Sequence, residues 1–347
     1  MTARLLTTAD EDAWNEALPA ARSAFGSLGF ARAQERAGVA DHRLLVAERD
    51  GAAVAYPLVL RPLTELPFAA DLVSGLWDSA SPPFTGPLPT AGAAADDAEV
   101  GDEIVGLLAA EGVVSEFAHL HPWNAAPALA GGGEPDREVV WVDTTLDEER
   151  LCRESYSKAC RKNVNRAERE GVTVREARDA DDVAEFHRIY IETMARNEAL
   201  ESYFYELDYF QAIFEELPGG ARFALAELDG RVIAATLYLH DSDDVYSYLG
   251  GADHAHQHVR PTNAVVHDTV RWAREQDKRR LILGGGYRPG DGIFRFKASF
   301  SPRRANLELG RRVLLPDDYE TLVAAWRRHH GADADPGGYF PAYRSGG

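Results

Sequence analysis

The chain has 347 residues, 45% hydrophobic and 27% charged, which suits two cores of ordinary size, and its net charge of −19 argues at first against a nucleic-acid partner. No apolar run reaches the roughly 18 residues that span a bilayer, and the start, MTARLLTTADEDAW, lacks the regions of a secretory signal, so a soluble, cytoplasmic protein is expected. Two cysteines, Cys152 and Cys160, are too few for a disulfide framework and lack metal spacing, so both read as reduced thiols and no metal is expected.

In chain order, AWNEALPAARSAF and GFARAQERAG carry helical periodicity, and RLLVAERD with AAVAYPLVLR forms a strand hairpin turned at Asp50-Gly51. The stretch LWDSASPPFTGPLPTAG, dense in Pro and Gly, reads as a loop; DEIVGLLAAEG is a helix before the strand VVSEFAHLHP, whose His119 and His121 close a strand end. After the turn ALAGGGEPD comes EVVWVDTT. From Leu146 a long polar helix, LDEERLCRESYSKACRKNVNRAEREG, runs to Gly171.

The second half predicts strand VTVREA, helices DDVAEFHRIYIETMARN and ELDYFQAIFEEL, and strands ARFALAEL, RVIAATLYLHD and DVYSYLGGA. Helix NAVVHDTVRWAREQ, strand RLILGGG, a short helix, strand ANLELGRRVLLP and a last helix follow. This order is an α+β sheet domain with an antiparallel meander and a later strand reached through a helical crossover. Charge is uneven: residues 1–150 carry 9 basic and 25 acidic side chains, whereas residues 251–347 carry 16 basic and 11 acidic. The acidity belongs to the first half.

The short helix, DGIFRFKASF, holds one of only four lysines, against 33 arginines. With Asp291 as N-cap and Pro302 as stop, Ile293, Phe296, Lys297 and Phe300 fall on one face. An ammonium among rings suits an anionic ligand or a developing oxyanion; a lysine that packs its stem and snorkels its head is the plain alternative.

Residues 172–315 resemble the GNAT acyltransferase superfamily, and the first half resembles a degraded copy of the same unit. Two such units joined by a basic helix resemble the Fem family (FemABX-like) of aminoacyl-tRNA-dependent transferases. Four motifs carry this likeness: SKACRKNVNRAEREGVTV, YIETMARN, WDSASPPFTGP and, most specifically, LILGGGYRPGDGIFRFKASF. The resemblance implies two tandem GNAT-like units, each a mixed, mostly antiparallel sheet flanked by helices. Residues 1–145 form the degenerate first domain, 146–171 the linking helix, and 172–347 the second domain, with the option that the C-terminal tail returns to the first.

The same resemblance implies roles. Lys297 neutralises charge at the aminoacyl ester or terminal phosphate, and Phe296 packs against the tRNA end. Tyr248 donates a proton or orients the amine at the end of the third meander strand, with Tyr246 and Arg196 toward the acceptor. Core packing for the tyrosines and dipole complementation for Arg196 are the structural alternatives. Lys158, Lys162, Arg166 and Arg169 form one helical stripe, flanked by Arg161, that suits a tRNA acceptor arm or simply a solvated face. The early helix offers Arg32, Gln34 and Arg36 where the family often carries a lysine contacting a nucleotide diphosphate. His254, His256 and His258 alternate as on a strand, without a carboxylate or cysteine set to complete a metal site.

The expected activity is therefore transfer of an amino acid from aminoacyl-tRNA to the amine of a peptidoglycan precursor or a small soluble metabolite. It needs no cofactor beyond the donor. An acyl-CoA-dependent N-acyltransferase is the alternative, although HQHVRPTNAVVHD lacks the glycines of a pyrophosphate-cradling loop.

Overall fold

The computed structural model describes residues 2–70, 72–91, 98–288, 290–331 and 333–346. Gly92 at the end of the Pro/Gly loop, residues 93–97 behind it, and Pro289 of the glycine turn lie outside them. The chain divides into two compact units, one of Met1–Pro19, Phe25–Asp136 and Leu307–Gly347, the other of Ala20–Ala24 and Arg137–Asn306.

In the first unit lie β1 (Thr2–Leu6), α1 (Glu11–Ala17), α2 (Leu28–Arg36), β2 (Asp41–Arg49), β3 (Ala52–Pro62), β4 (Trp77–Ala80), β5 (Leu88–Ala91), α3 (Ala98–Ala110) and β6 (Val113–Leu120), with β13 (Arg304–Val313) and α10 (Pro316–His330) from the far end of the chain. Its sheet runs β1-β2-β3-β4-β6-β13, and β5 pairs with β3. Strands β4 and β6 pair in parallel, because α3 carries the chain across between them. The β2–β3 hairpin turns at Asp50 and Gly51, both at positive φ (46° and 86°), the pairing that matches strand twist. Val100, Ile104 and Leu108, one stripe of α3, pack on Val54, Tyr56 and Leu58 of β3 and Ala118 and Leu120 of β6.

The stretch expected as plain loop holds two strands, β4 and β5. Its hydrophobic alternation is missing because β4 buries polar groups in pairs: Asp78 is fully buried between Arg61, at 2.6 Å, and Arg344, at 2.5 Å. Strand β1, five residues on the sheet edge, has too short a pattern to announce itself.

The second unit holds β7 (Glu134–Asp143), α4 (Glu148–Arg150), α5 (Lys158–Arg169), β8 (Thr173–Glu176), α6 (Ala180–Arg196), α7 (Leu207–Glu216), β9 (Ala221–Leu228), β10 (Arg231–His240), β11 (Asp244–Ala252), α8 (Pro261–Glu275), β12 (Arg280–Gly284) and α9 (Gly292–Ala298). Its sheet runs β7-β12-β11-β10-β9-β8, with β11 and β12 the parallel pair bridged by α8. Strand β7, before residue 145 in the chain, pairs antiparallel with β12 of this unit.

The single helix expected over 146–171 is broken. After α4 the chain makes a π-helical turn over Leu151–Ser155, stops at buried Tyr156, and restarts at α5 with Ser157 accepting from the Cys160 amide. The break is stable because Arg161 reaches back and donates to the Cys152 carbonyl at 2.7 Å and to the Tyr156 carbonyl. Among the described residues, no helix is long and apolar enough to cross a membrane.

Candidate active site

Strands β11 and β12 pair over only three positions, Asp244–Arg280, Val245–Leu281 and Tyr246–Ile282, and then part. Beyond this fork β11 continues through Ala252, while β12 ends at Gly284 in a glycine turn that leads to α9. Helix α9 is held at its start by Asp291, whose carboxylate accepts from the amides of Phe294 at 2.7 Å, Tyr287 at 2.7 Å and Arg288 at 2.9 Å. These backbone bonds hold its pKa below the usual carboxylate range.

Helix α9 returns Lys297 onto the end of β12. Its Nζ donates to the Gly285 carbonyl at 2.7 Å. Gly284 sits at φ +79°, and a Cβ there would lie 3.3 Å from Nζ, so the residue beneath the ammonium is one that glycine alone fills without strain. No carboxylate pairs with Lys297 among the described residues, and two of its three N–H groups have no protein acceptor there. Burial pushes its pKa down to about 8, with Asp291 pulling weakly the other way. This is a partly buried cation held beside the end of β12, a donor able to stabilise negative charge that develops next to it.

The apolar stripe differs from expectation at one end. Ile293 is 52% exposed, because α9 has only seven residues and its first turn faces outward. The inward side is Phe296, Lys297 and Phe300. Phe296 meets Phe300 edge to face at 5.4 Å, and Phe300 meets Tyr156 at 5.5 Å. The Ser157 amide donates to the Ser299 carbonyl at 2.8 Å, so the start of α5 is tied to the end of α9.

Tyr248 lies on β11 past the fork, partly exposed, with its hydroxyl 2.8 Å from that of Tyr209 on α7. Tyr209 is buried, which pushes its pKa far up and keeps it protonated. Nothing in ELDYF marked this tyrosine as a partner; only the packing of α7 reveals it. Tyr246, expected to face the acceptor, is 3% exposed and donates to Asp241 at 3.0 Å. It precedes the fork, where β12 still covers β11, and its place is internal. Arg196 is exposed at the end of α6 and donates to the Ala252 carbonyl at 3.1 Å, the last residue of β11.

On α5, Lys158, Lys162 and Arg169 are exposed, Arg166 pairs with Glu170 at 3.6 Å, and Arg161 is spent on the π-turn carbonyls. His254, His256 and His258 lie on a 3₁₀ turn rather than a strand, since Asp253 caps it through the Ala255 amide. His256 sits 2.9 Å from Asp253 and His258 3.0 Å from the Ala255 carbonyl. Among the described residues no group of three or more His, Cys, Asp or Glu side chains is placed to hold a metal ion.

Residues 154–298, which span the fork and α9, match the family described as Acetyltransferase (GNAT) domain. No curated protein matches the sequence. Among solved structures the chain is similar to FemX, at a TM-score of 0.71 and 14% identity over 92% of this chain and 99% of that one. It is also similar to a conserved protein of unknown function from Bacteroides thetaiotaomicron VPI-5482, at 0.58 and 12% over 90% and 99%. A third likeness is to L-PGS from Bacillus licheniformis, at 0.52 and 15% over 78% and 84%. Identities this low establish fold rather than chemistry. The chain thus has a Fem-like, double-GNAT fold, and its residues 154–298 match the GNAT acetyltransferase domain family.

Proposed function

We propose that the chain is a cytoplasmic aminoacyltransferase that moves an amino acid from aminoacyl-tRNA to an amine acceptor. The observation that carries this reading is the Lys297 ammonium, desolvated at the β11–β12 fork with a single carbonyl partner. The acceptor amine attacks the ester carbonyl, the carbonyl oxygen gains negative charge, and Lys297 stabilises it by charge and hydrogen bond. Collapse of the tetrahedral species forms the amide and expels the ribose oxygen, which takes up the proton the amine gives away. Positioning supplies the rest, without a covalent enzyme intermediate. Phe296 packs against the tRNA end, Tyr248 orients the amine with Tyr209 behind it, and Arg196 grips the acceptor's anionic group. Lys158, Lys162 and Arg169, with Arg166 beside them, form the stripe for the acceptor arm of the tRNA. In this reading the second unit acts and the first is its degenerate copy.

The test is transfer of labelled amino acid from charged tRNA to a panel of amines, followed by mass spectrometry. Ribonuclease should abolish product, and Lys297→Ala should cut it by about 100- to 1000-fold. The match of residues 154–298 to the GNAT acetyltransferase domain favours a second reading, acyl-CoA-dependent N-acylation. Acetyl-CoA consumption that survives ribonuclease would establish that reading instead.

A further inference from the structure

The second unit also exposes an aromatic surface that the residues above leave unassigned. Between α6 and α7 the chain reads NEALESYFYELDY, and Leu200, Tyr203 and Phe204 are 63%, 43% and 36% exposed. Three large apolar side chains within five residues form a patch of the kind that a ligand covers. The backbone beneath them is pinned. The Tyr190 hydroxyl donates to the Tyr203 carbonyl at 2.5 Å, and a ring nitrogen of His187 lies 3.1 Å from the Tyr205 carbonyl, both from α6. The Tyr205 ring stacks on Tyr209 at 4.4 Å, and the Tyr209 hydroxyl meets that of Tyr248. From Tyr205, next to the exposed rings in the chain, contacts through Tyr209 thus reach Tyr248 past the strand fork.

Its charge decides what fits. Glu198, Glu201, Glu206 and Asp208 are all exposed on this segment, and residues 197–217 contain no lysine or arginine. None of these four carboxylates pairs with a basic side chain among the described residues. Platforms that stack nucleic-acid bases combine their rings with a positive groove, and here the sign is opposite. Rings bordered by carboxylates attract cations, over the ring faces and through the local field. Leucine beside two rings adds apolar surface that a bare polyamine leaves unused.

We propose that this surface docks a cationic peptide, one with two or more lysine or arginine side chains. Their aliphatic stems lie on Leu200, Tyr203 and Phe204, and their charges face Glu198, Glu201, Glu206 and Asp208. The inference rests on the proposed transfer in one respect, that the docked peptide supplies the acceptor amine.

Fluorescence anisotropy of a labelled Lys-Leu-Lys-Leu-Lys amide with the full chain tests it, without requiring turnover. Saturable binding is expected, weakened about tenfold by Tyr203→Ala with Phe204→Ala, and comparably by Glu201→Gln with Glu206→Gln. Added salt should weaken it further, while thermal melts of these surface variants match the parent. Binding unchanged in both double variants, displacement by spermidine at the same concentration as unlabelled peptide, or displacement by an RNA hairpin ending in CCA would each overturn the proposal. Peptide binding by a chain that transfers nothing would retire the reaction and keep the surface. Transfer without peptide binding would retire the surface and keep the reaction.

Discussion

In the first unit β4 runs parallel to β6 through the crossover helix α3, and in the second β11 runs parallel to β12 through α8. The two forks are finished in opposite ways. After β4 the Pro/Gly loop stays on β6: the Ser81 amide donates to the Phe117 carbonyl at 2.9 Å, the His119 amide to the Ser81 hydroxyl at 2.8 Å, and the His121 amide to the Thr85 carbonyl at 2.9 Å. Asn124 adds bonds to the carbonyls of Thr85, at 3.3 Å, and Pro87, at 3.0 Å. Beneath this stitched seam lies Glu116, fully buried, with Arg312 at 3.3 Å. After β12, by contrast, the chain turns away and α9 brings an ammonium back to the opening. One topology thus yields a closed seam where loop and strand backbone groups satisfy one another, and a fork to which the returning helix brings an ammonium instead.

The comparison breaks most visibly at Lys297. Lys297→Ala should lower transfer by about 100- to 1000-fold, the loss typical of removing one oxyanion-stabilising group, while the melting curve stays cooperative. No substitution in the first seam should cost activity without also costing stability.

Gly86→Ala attacks the closed fork instead. Gly86 has φ +106°, and a Cβ would lie 2.6 Å from the Leu120 side chain and 2.8 Å from Asn124. Strain and clash together should cost about 2–4 kcal/mol in urea unfolding, and a change below about 0.5 kcal/mol would show that the seam is not rigid.

The pH dependence separates the forks again. Lys297 is lowered to about 8 from its usual 10.5, so between those values the unfolded chain holds more protons, and stability rises with pH across that window. Lys297→Met should therefore stabilise at pH 7, by up to about 3 kcal/mol, and the gain should fade as pH rises from 8 to 10.5. The transfer rate of the unmodified chain should fall over the rise past pH 8, as the ammonium is lost.

The smallest effect belongs to Glu116. Burial raises its pKa above 4.5, with Arg312 opposing, so stability falls as pH rises from 4.5 through the folded-state value. Glu116→Gln should be within about 1 kcal/mol of the parent at neutral pH, on the stabilising side. Calorimetric scans at pH 4 and pH 7 would show the gain only at pH 7.

Much of this was legible before any coordinates. The helices and the meander follow from periodicity, the Asp50-Gly51 hairpin from turn chemistry, and α9 from Asp291 as its cap. Illegible parts share a cause. Strand β4 carries WDSA, polar residues that are tolerable inside only because Arg61 and Arg344, far apart in the chain, converge on Asp78. The helix break at Tyr156, beyond its local Arg161 bonds, packs on a ring partner, Phe300, 144 positions away. Tyr209 and Tyr246 exchanged importance because one faces Tyr248 and the other Asp241.

By itself the sequence determined the elements, the uneven charge and the scarcity of lysine that singled out Lys297. Local propensity and composition act over a few residues, and that range is enough for these. Only the tertiary structure decided which strand fork closes, which carbonyl the ammonium meets and which tyrosine remains accessible. Those outcomes depend on desolvation and on partners distant in the chain, and no spacing rule carries either.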